Sequence, residues 1–100
     1  VAVHYNTKKE TAEALAAQLQ KSCGIKAIAV QADIKDRESV NRMFDKVDKA
    51  LGGVDILVNN ACKGLGGILS GCSYEDFDYV LRLGVAAPYW LTKLLLKVSL

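Results

Sequence analysis

VDILVNNACKG, residues 54–64, runs from five mostly apolar residues into two consecutive amides, a small residue, a thiol and a lysine. Its apolar half has the composition of a buried strand. Asn59 and Asn60 do not, because an Asn side chain competes for the backbone hydrogen bonds that a ladder needs. A strand that stops on paired amides is expected to present them to something beyond its end. Upstream, residues 1–5 (VAVHY) and 26–31 (KAIAVQ) are two further β-rich runs, so strands are expected at about 1–5, 26–31 and 54–58.

Helical patterns separate these runs. Thr7-x-x-Glu10 has the form of a capping box. Ala12, Leu15, Ala16 and Leu19 come next at i, i+3, i+4 and i+7, and Gly24 stands where a left-handed residue commonly ends a helix. A second helix is expected over residues 36–51, with Val40, Met43, Phe44, Val47 and Leu51 as its stripe and Gly52-Gly53 as its stop. After residues 54–58 comes a glycine-rich stretch, KGLGGILSGC, then a helical segment opened by Ser73-x-x-Asp76. Pro88 is expected to interrupt or bend the helical pattern around it.

Alternating strands and helices imply right-handed crossovers and a parallel sheet covered by helices on both faces. The near-continuous apolar runs suit strands buried on both sides. Ligands of such sheets sit beyond the C-terminal strand ends. Those ends carry Tyr5-Asn6-Thr7, Ala32-Asp33-Ile34 and Asn59-Asn60-Ala61, three polar tips expected to meet on one edge.

Composition narrows the function classes. The 100 residues make one domain at most, and 51% hydrophobic content can supply a core. Thirteen Lys and Arg against eleven Asp and Glu give +2, spread from Lys8 to Lys97 with only Lys8-Lys9 adjacent. That argues against nucleic-acid or membrane partners. Cys23, Cys62 and Cys72 form neither a disulfide framework nor a zinc spacing, so free thiols, no metal and a cytoplasmic location are expected. The chain starts at VAVHY without Met and ends within an apolar helical pattern, LTKLLLKVSL, so it reads as truncated at both ends.

In order and spacing, essentially the whole chain resembles an internal fragment of a short-chain dehydrogenase/reductase, a family of NAD(P)-dependent oxidoreductases. VDILVNNAC resembles the family's strand-and-turn motif, usually N-N-A-G. VQADIKDRESV resembles the segment that brings an aspartate to the adenine ring, and DFDYVLRLGV the segment that normally ends in a helix asparagine. The resemblance implies an α/β fold, a partial Rossmann-type three-layer sandwich, with residues 1–100 as part of an NAD(P)-binding domain. It implies that Asp33 accepts from the adenine amino group while Ile34 packs on the ring. Asn60 and Ala61 would then run along the adenosine ribose, and Asn59 would tie the central strands together.

The same resemblance bears on the cofactor. NAD-using relatives tend to carry an acid at the end of the first strand. Here that place holds Tyr5, followed by Asn6, Thr7, Lys8 and Lys9. Hydroxyl, amide and ammonium groups suit a 2′-phosphate, so NADP is favoured over NAD, with Asn6 and Thr7 as its contacts and Lys8 as a further cation. The implied function is hydride transfer between nicotinamide and a small carbonyl or alcohol substrate of the full-length parent, in a homo-oligomer. The alternative is a catalytically degenerate dinucleotide-binding or oligomerisation module. The family's glycine-rich turn would precede residue 1, and its catalytic Ser, Tyr and Lys would lie beyond residue 100. No catalytic residue is therefore assigned, and the chain alone is expected to be inactive.

Three features imitate sites. Tyr89-x-x-x-Lys93 matches a catalytic pair in form but lies too near Asn60, with Asp76 where a serine would stand. Gly64-x-Gly66-Gly67 fails as a dinucleotide fingerprint because Leu69 occupies the third glycine place; a mobile substrate-side loop is expected instead. His4 is expected to be a half-buried structural residue. Two departures from the family pattern bear on catalysis. Cys62 replaces the glycine after N-N-A, which is costly wherever φ must be positive, and Gly84 replaces the helix asparagine. The family's 3-2-1-4 strand order also puts its glycine-motif strand between residues 1–5 and 54–58. Without it, the structure should keep a gap of about 10 Å, two strand spacings, or else pair 54–58 directly with 1–5.

Overall fold

The computed structural model describes residues 1–62 and 69–99. Two strands, β1 (Ala2–Tyr5) and β2 (Ile28–Gln31), pair in parallel from Ala2 opposite Ile28 to Tyr5 opposite Gln31. Between them runs α1 (Lys9–Cys23), packed on both strands as a crossover helix must be. Ala12 and Ala16 form its buried face, and Gly24, at φ 64°, closes it through an N–H bond to the Gln20 carbonyl. The capping box expected at Thr7 does not form. Lys8 is the N-cap and no side chain caps the helix, because the chain leaving β1 does not turn helical until Lys9 and carries Thr7 out of capping position. Leu15, expected on the buried stripe, is 44% exposed.

The second helix, α2 (Arg37–Leu51), starts at Asp36, whose carboxylate accepts from the Glu38 N–H at 3.1 Å. It stops at Gly52, φ 79°. Val40, Phe44 and Val47 are buried as the heptad-like spacing requires. A 3-10 turn (Leu69–Gly71) precedes α3 (Tyr74–Leu81), whose N-cap Ser73 accepts from the Asp76 N–H at 3.1 Å, as expected. A π-helical turn (Arg82–Ala86) then leads into α4 (Ala87–Ser99). Pro88 accounts for the wide turn: it has no N–H, and in an α-helix its ring would strike the Gly84 carbonyl. The Ala87 N–H accordingly bonds back to the Arg82 carbonyl.

The principal core lies between α2 and α4, where Val40, Phe44 and Leu91 are buried with Ile34, Met43, Val54, Leu57 and Leu94 packed around them. Across the same interface the Trp90 indole N–H donates to Asn41 Oδ1 at 2.9 Å.

Residues 54–58 are the main departure from the expected strands. They join no sheet: among the described residues the sheet is two-stranded, β1 with β2. A strand needs a neighbour for its N–H and C=O groups, and this segment finds a hydrophobic cluster but no ladder. Val54 and Leu57 pack onto the α2–α4 core while Ile56 and Val58 stand 83% and 78% exposed. Of the two arrangements expected for this segment, direct pairing with β1 does not occur. The parallel pair and its crossover helix α1 remain those of a partial Rossmann-type fold. Among the described residues no helix is long and apolar enough to cross a membrane.

Candidate functional site

The C-terminal ends of β1 and β2 and the segment after Val58 open onto one cavity of about 620 Å³. That lies within the roughly 300–1,000 Å³ usual for small-molecule sites. Asn6, Thr7, Asp33, Ile34, Asn59, Asn60 and Ala61 all line it. The seven residues singled out from the sequence therefore share one rim, although they come from three separate parts of the chain. Lys8 and Thr11 from the start of α1, and Tyr79, Leu83, Pro88 and Leu91 from the later helices, complete much of the wall.

Two of the three tips are held by local bonding. At the end of β1, the Gln31 side-chain amide donates to the Asn6 carbonyl at 3.2 Å and to Asn6 Oδ1 at 3.3 Å. This cross-strand tie orients the Asn6 amide. Parallel register puts Gln31 beside Tyr5, so the partner is evident only once the pairing is known. At the end of β2, the Asp33 N–H donates to Ser39 Oγ at 3.0 Å, and its carbonyl accepts from the Asp36 N–H at 3.0 Å. Its Oδ1 accepts from the Lys35 N–H at 3.1 Å. The other carboxylate oxygen of this half-buried residue makes no bond among the described residues. An acceptor beside the apolar Ile34 side chain is the chemistry that a flat base with an amino edge requires. Ser39, 8% exposed, has no signal in the sequence because it lies inside the helix rather than in the tip.

Asn59, Asn60 and Ala61 are exposed and make no side-chain hydrogen bond among the described residues. The strand-tying role implied for Asn59 has no counterpart in that bonding. No described residue other than glycine has positive φ. Asn59 and Asn60 are therefore not left-handed turn residues, which removes the commonest local reason for an Asn pair. Cys62, which also lines the cavity, carries no positive-φ strain either, so its Cβ is tolerated. A Cβ built at Gly84 likewise meets nothing within 4 Å.

The imitating features separate from the site. Tyr89 is 66% exposed and neither it nor Lys93 lines the cavity. The Lys93 ammonium lies 5.9 Å from the Tyr89 ring centroid. His4 is half-buried with Nε2 at 2.8 Å from the Ala32 carbonyl; that oxygen can only accept, so Nε2 carries the proton. The glycines at 64, 66 and 67 lie outside the described residues. No group of three or more candidate metal ligands occurs among the described residues.

Comparison with known proteins agrees with this architecture. The family description "short chain dehydrogenase" matches residues 1–99. A short-chain dehydrogenase/reductase, FrzI, of Cladobotryum sp is 33% identical over 97 residues, 97% of this chain and 37% of the relative. The 3-oxoacyl-[acyl-carrier-protein] reductase FabG of Aquifex aeolicus is 30% identical over 87 residues, 87% of this chain and 35% of the relative. Among solved structures, a short-chain dehydrogenase from Burkholderia cenocepacia in complex with NADP superposes with a TM-score of 0.90 at 36% identity. The match covers 98% of this chain and 40% of that one. A blue fluorescent protein from a metagenomic library, in complex with NADPH, gives 0.87 at 32% identity, covering 96% of this chain and 39% of that one. The chain thus spans little more than a third of the length of these relatives. Sequence, architecture and neighbours agree: this chain belongs to the short-chain dehydrogenase/reductase family.

Proposed function

We propose that this chain supplies the adenosine-binding half of an NADP-preferring oxidoreductase that moves hydride between nicotinamide and a small carbonyl or alcohol substrate. The observation that carries the reading is the meeting of Asn6, Thr7, Asp33, Ile34, Asn59, Asn60 and Ala61 on one cavity. In this reading the second carboxylate oxygen of Asp33 takes the adenine amino group and Ile34 covers a ring face. Asn60 and Ala61 border the ribose, with Asn59 behind them. Bound NADP would supply the hydride chemistry; the residues here bind and orient its adenosine.

The preference for NADP rests on the β1 end. Thr7, Lys8 and the uncapped first turn of α1 border the cavity without a carboxylate at the β1 tip. A hydroxyl, an ammonium and open N–H groups at a helix start favour a dianionic phosphate. The two structural neighbours solved with NADP and NADPH support the same choice. The chain by itself is expected to be inactive, since none of its residues is assigned the catalytic Ser, Tyr or Lys role. Free Cys23, Cys62 and Cys72 suit a cytoplasmic protein.

A second reading, a binding and oligomerisation module, has its own support. Tyr74, Phe77, Leu81, Val85, Tyr89 and Leu96 leave large apolar side chains exposed along α3, the π turn and α4. Their spacing of three, four or seven residues makes one stripe suited to a second copy of the chain.

Calorimetric titration of the full chain with AMP and with adenosine 2′,5′-bisphosphate tests the first reading. The bisphosphate should bind about tenfold tighter, the size of one charge-assisted bond. Asp33→Ala should weaken both ligands, and Thr7→Ala with Lys8→Ala the bisphosphate alone. Equal affinities would remove the NADP preference; no saturable binding of either would leave only the scaffold.

A further inference from the structure

The Asp33 turn is held to its own helix by short-range bonds, yet one contact reaches from it to α3. The Lys35 ammonium lies 4.3 Å from the centroid of the Tyr79 ring, 44 residues further along the chain. Both residues are half-buried, and Tyr79 lines the same cavity as Asp33. The backbone N–H of this same lysine donates to Asp33 Oδ1. Lys35 is thus tied to the carboxylate through its main chain and to α3 through its side chain.

The position of the ammonium is informative. Asp33, Asp36 and Glu38 are all close in sequence, yet Lys35 forms no ion pair with any of them among the described residues. A partly desolvated ammonium over an aromatic face is attracted by the ring quadrupole. That attraction keeps a positive charge off the second Asp33 oxygen. Freed from the ring, the flexible lysine stem could carry its charge to Asp33 or Asp36 and compete with any donor from a ligand.

We infer that Lys35 and Tyr79 form a cation–π clamp that holds the Asp33 turn, with its carboxylate outside any ion pair, in the form that accepts the amino edge of a purine. The inference rests on the adenosine reading above and deepens it. Lys35 and Tyr79 are positioning residues: they act through Asp33. A neighbouring contact separates this role from plain stability. Arg37 lies 4.3 Å over the Trp90 ring, and Trp90 bonds Asn41, off the cavity. The α2–α4 packing therefore keeps its own tie when the clamp is cut.

The test is a double-mutant cycle in the full chain, with AMP as the probe. Lys35→Gln and Tyr79→Leu should each weaken AMP about three- to tenfold, the range of one partly desolvated cation–π contact. The double variant should be no weaker than the worse single one. Tyr79→Phe and Lys35→Arg, which preserve ring and cation, should bind as the parent does, and that rescue is not expected of a purely structural defect. Unchanged binding in both single variants, additive losses in the double, or a Tyr79→Phe as weak as Tyr79→Leu would each overturn the clamp while leaving the adenosine site standing. A parent chain that binds no AMP would overturn the adenosine reading and the clamp together.

Discussion

Asp33 is the residue on which the candidate site turns, and its environment shows how a short sequence can prepare an acceptor. Three bonds within six residues fix its main chain and one carboxylate oxygen, and the second oxygen makes no bond among the described residues, in a residue that lines the cavity. Single residues elsewhere set the backbone path. Gly52 has φ 79° and open space around its missing Cβ, so Gly52→Ala carries only conformational strain. It should lower stability by about 1 kcal/mol. Gly84 has similarly open surroundings without positive φ, and Gly84→Ala should raise stability by a few tenths to about 1 kcal/mol, since Ala is the better helix residue. Urea midpoints of the two variants moving in the same direction would contradict this assignment. Gly24 and Asp33 were legible because each sits just past the end of an element, whereas Asn60 stood out only as one of two amides behind an apolar run that forms no strand here. Lys35–Tyr79 and Gln31–Asn6 were not legible, because nothing local marks a contact made across the fold. Thr7 misled for a simpler reason: its pattern with Glu10 fits a cap, but the chain starts its helix one residue too late.

Among the elements, the join between α3 and α4 is the most informative. The sequence marks it only by Pro88, which could kink, end or widen a helix; the π turn is the widening solution. Pro88→Ala restores the missing N–H and removes the clash with the Gly84 carbonyl. The segment 82–88 should then tighten toward α-helical bonding, with slow amide exchange at the new position-88 N–H. Retention of the Ala87-to-Arg82 bond in the variant structure would show that proline is not the cause. The helices α1 and α2 were readable because their stripes repeat over two and three turns and their glycine stops are unambiguous, although Leu15 of the α1 stripe is exposed. Residues 54–58 carry a strand composition without forming a strand here. Composition reports what a segment can bury, whereas a ladder depends on the neighbour beside it. Val54 and Leu57 bury what they can against α2 and α4, and the backbone stays outside any sheet.

Over the whole molecule, the packing is open. The radius of gyration is 15.3 Å, against about 13 Å for a compact domain of this length. Among the described residues most buried apolar ones are Ala or Val, with Phe44, Leu83 and Leu91 the large ones. In the second reading proposed above, the exposed stripe from Tyr74 to Leu96 is the surface through which copies of the chain associate. Val85→Arg, at the middle of that stripe and 62% exposed, should shift the full chain toward monomer in sedimentation velocity without lowering AMP affinity. An unchanged sedimentation coefficient would rule the stripe out as the contact. None of this open shape was legible in composition, because 51% hydrophobic content says how much can be buried, not how much is. The core between α2 and α4 also imposes an order on synthesis. The β1–α1–β2 unit closes among near neighbours and can form early, but Val40 and Phe44 wait for Leu91, some fifty residues later. At about 5–20 residues per second on the ribosome, the apolar face of α2 stays uncovered for roughly two to ten seconds, the interval in which a chaperone would find this nascent chain.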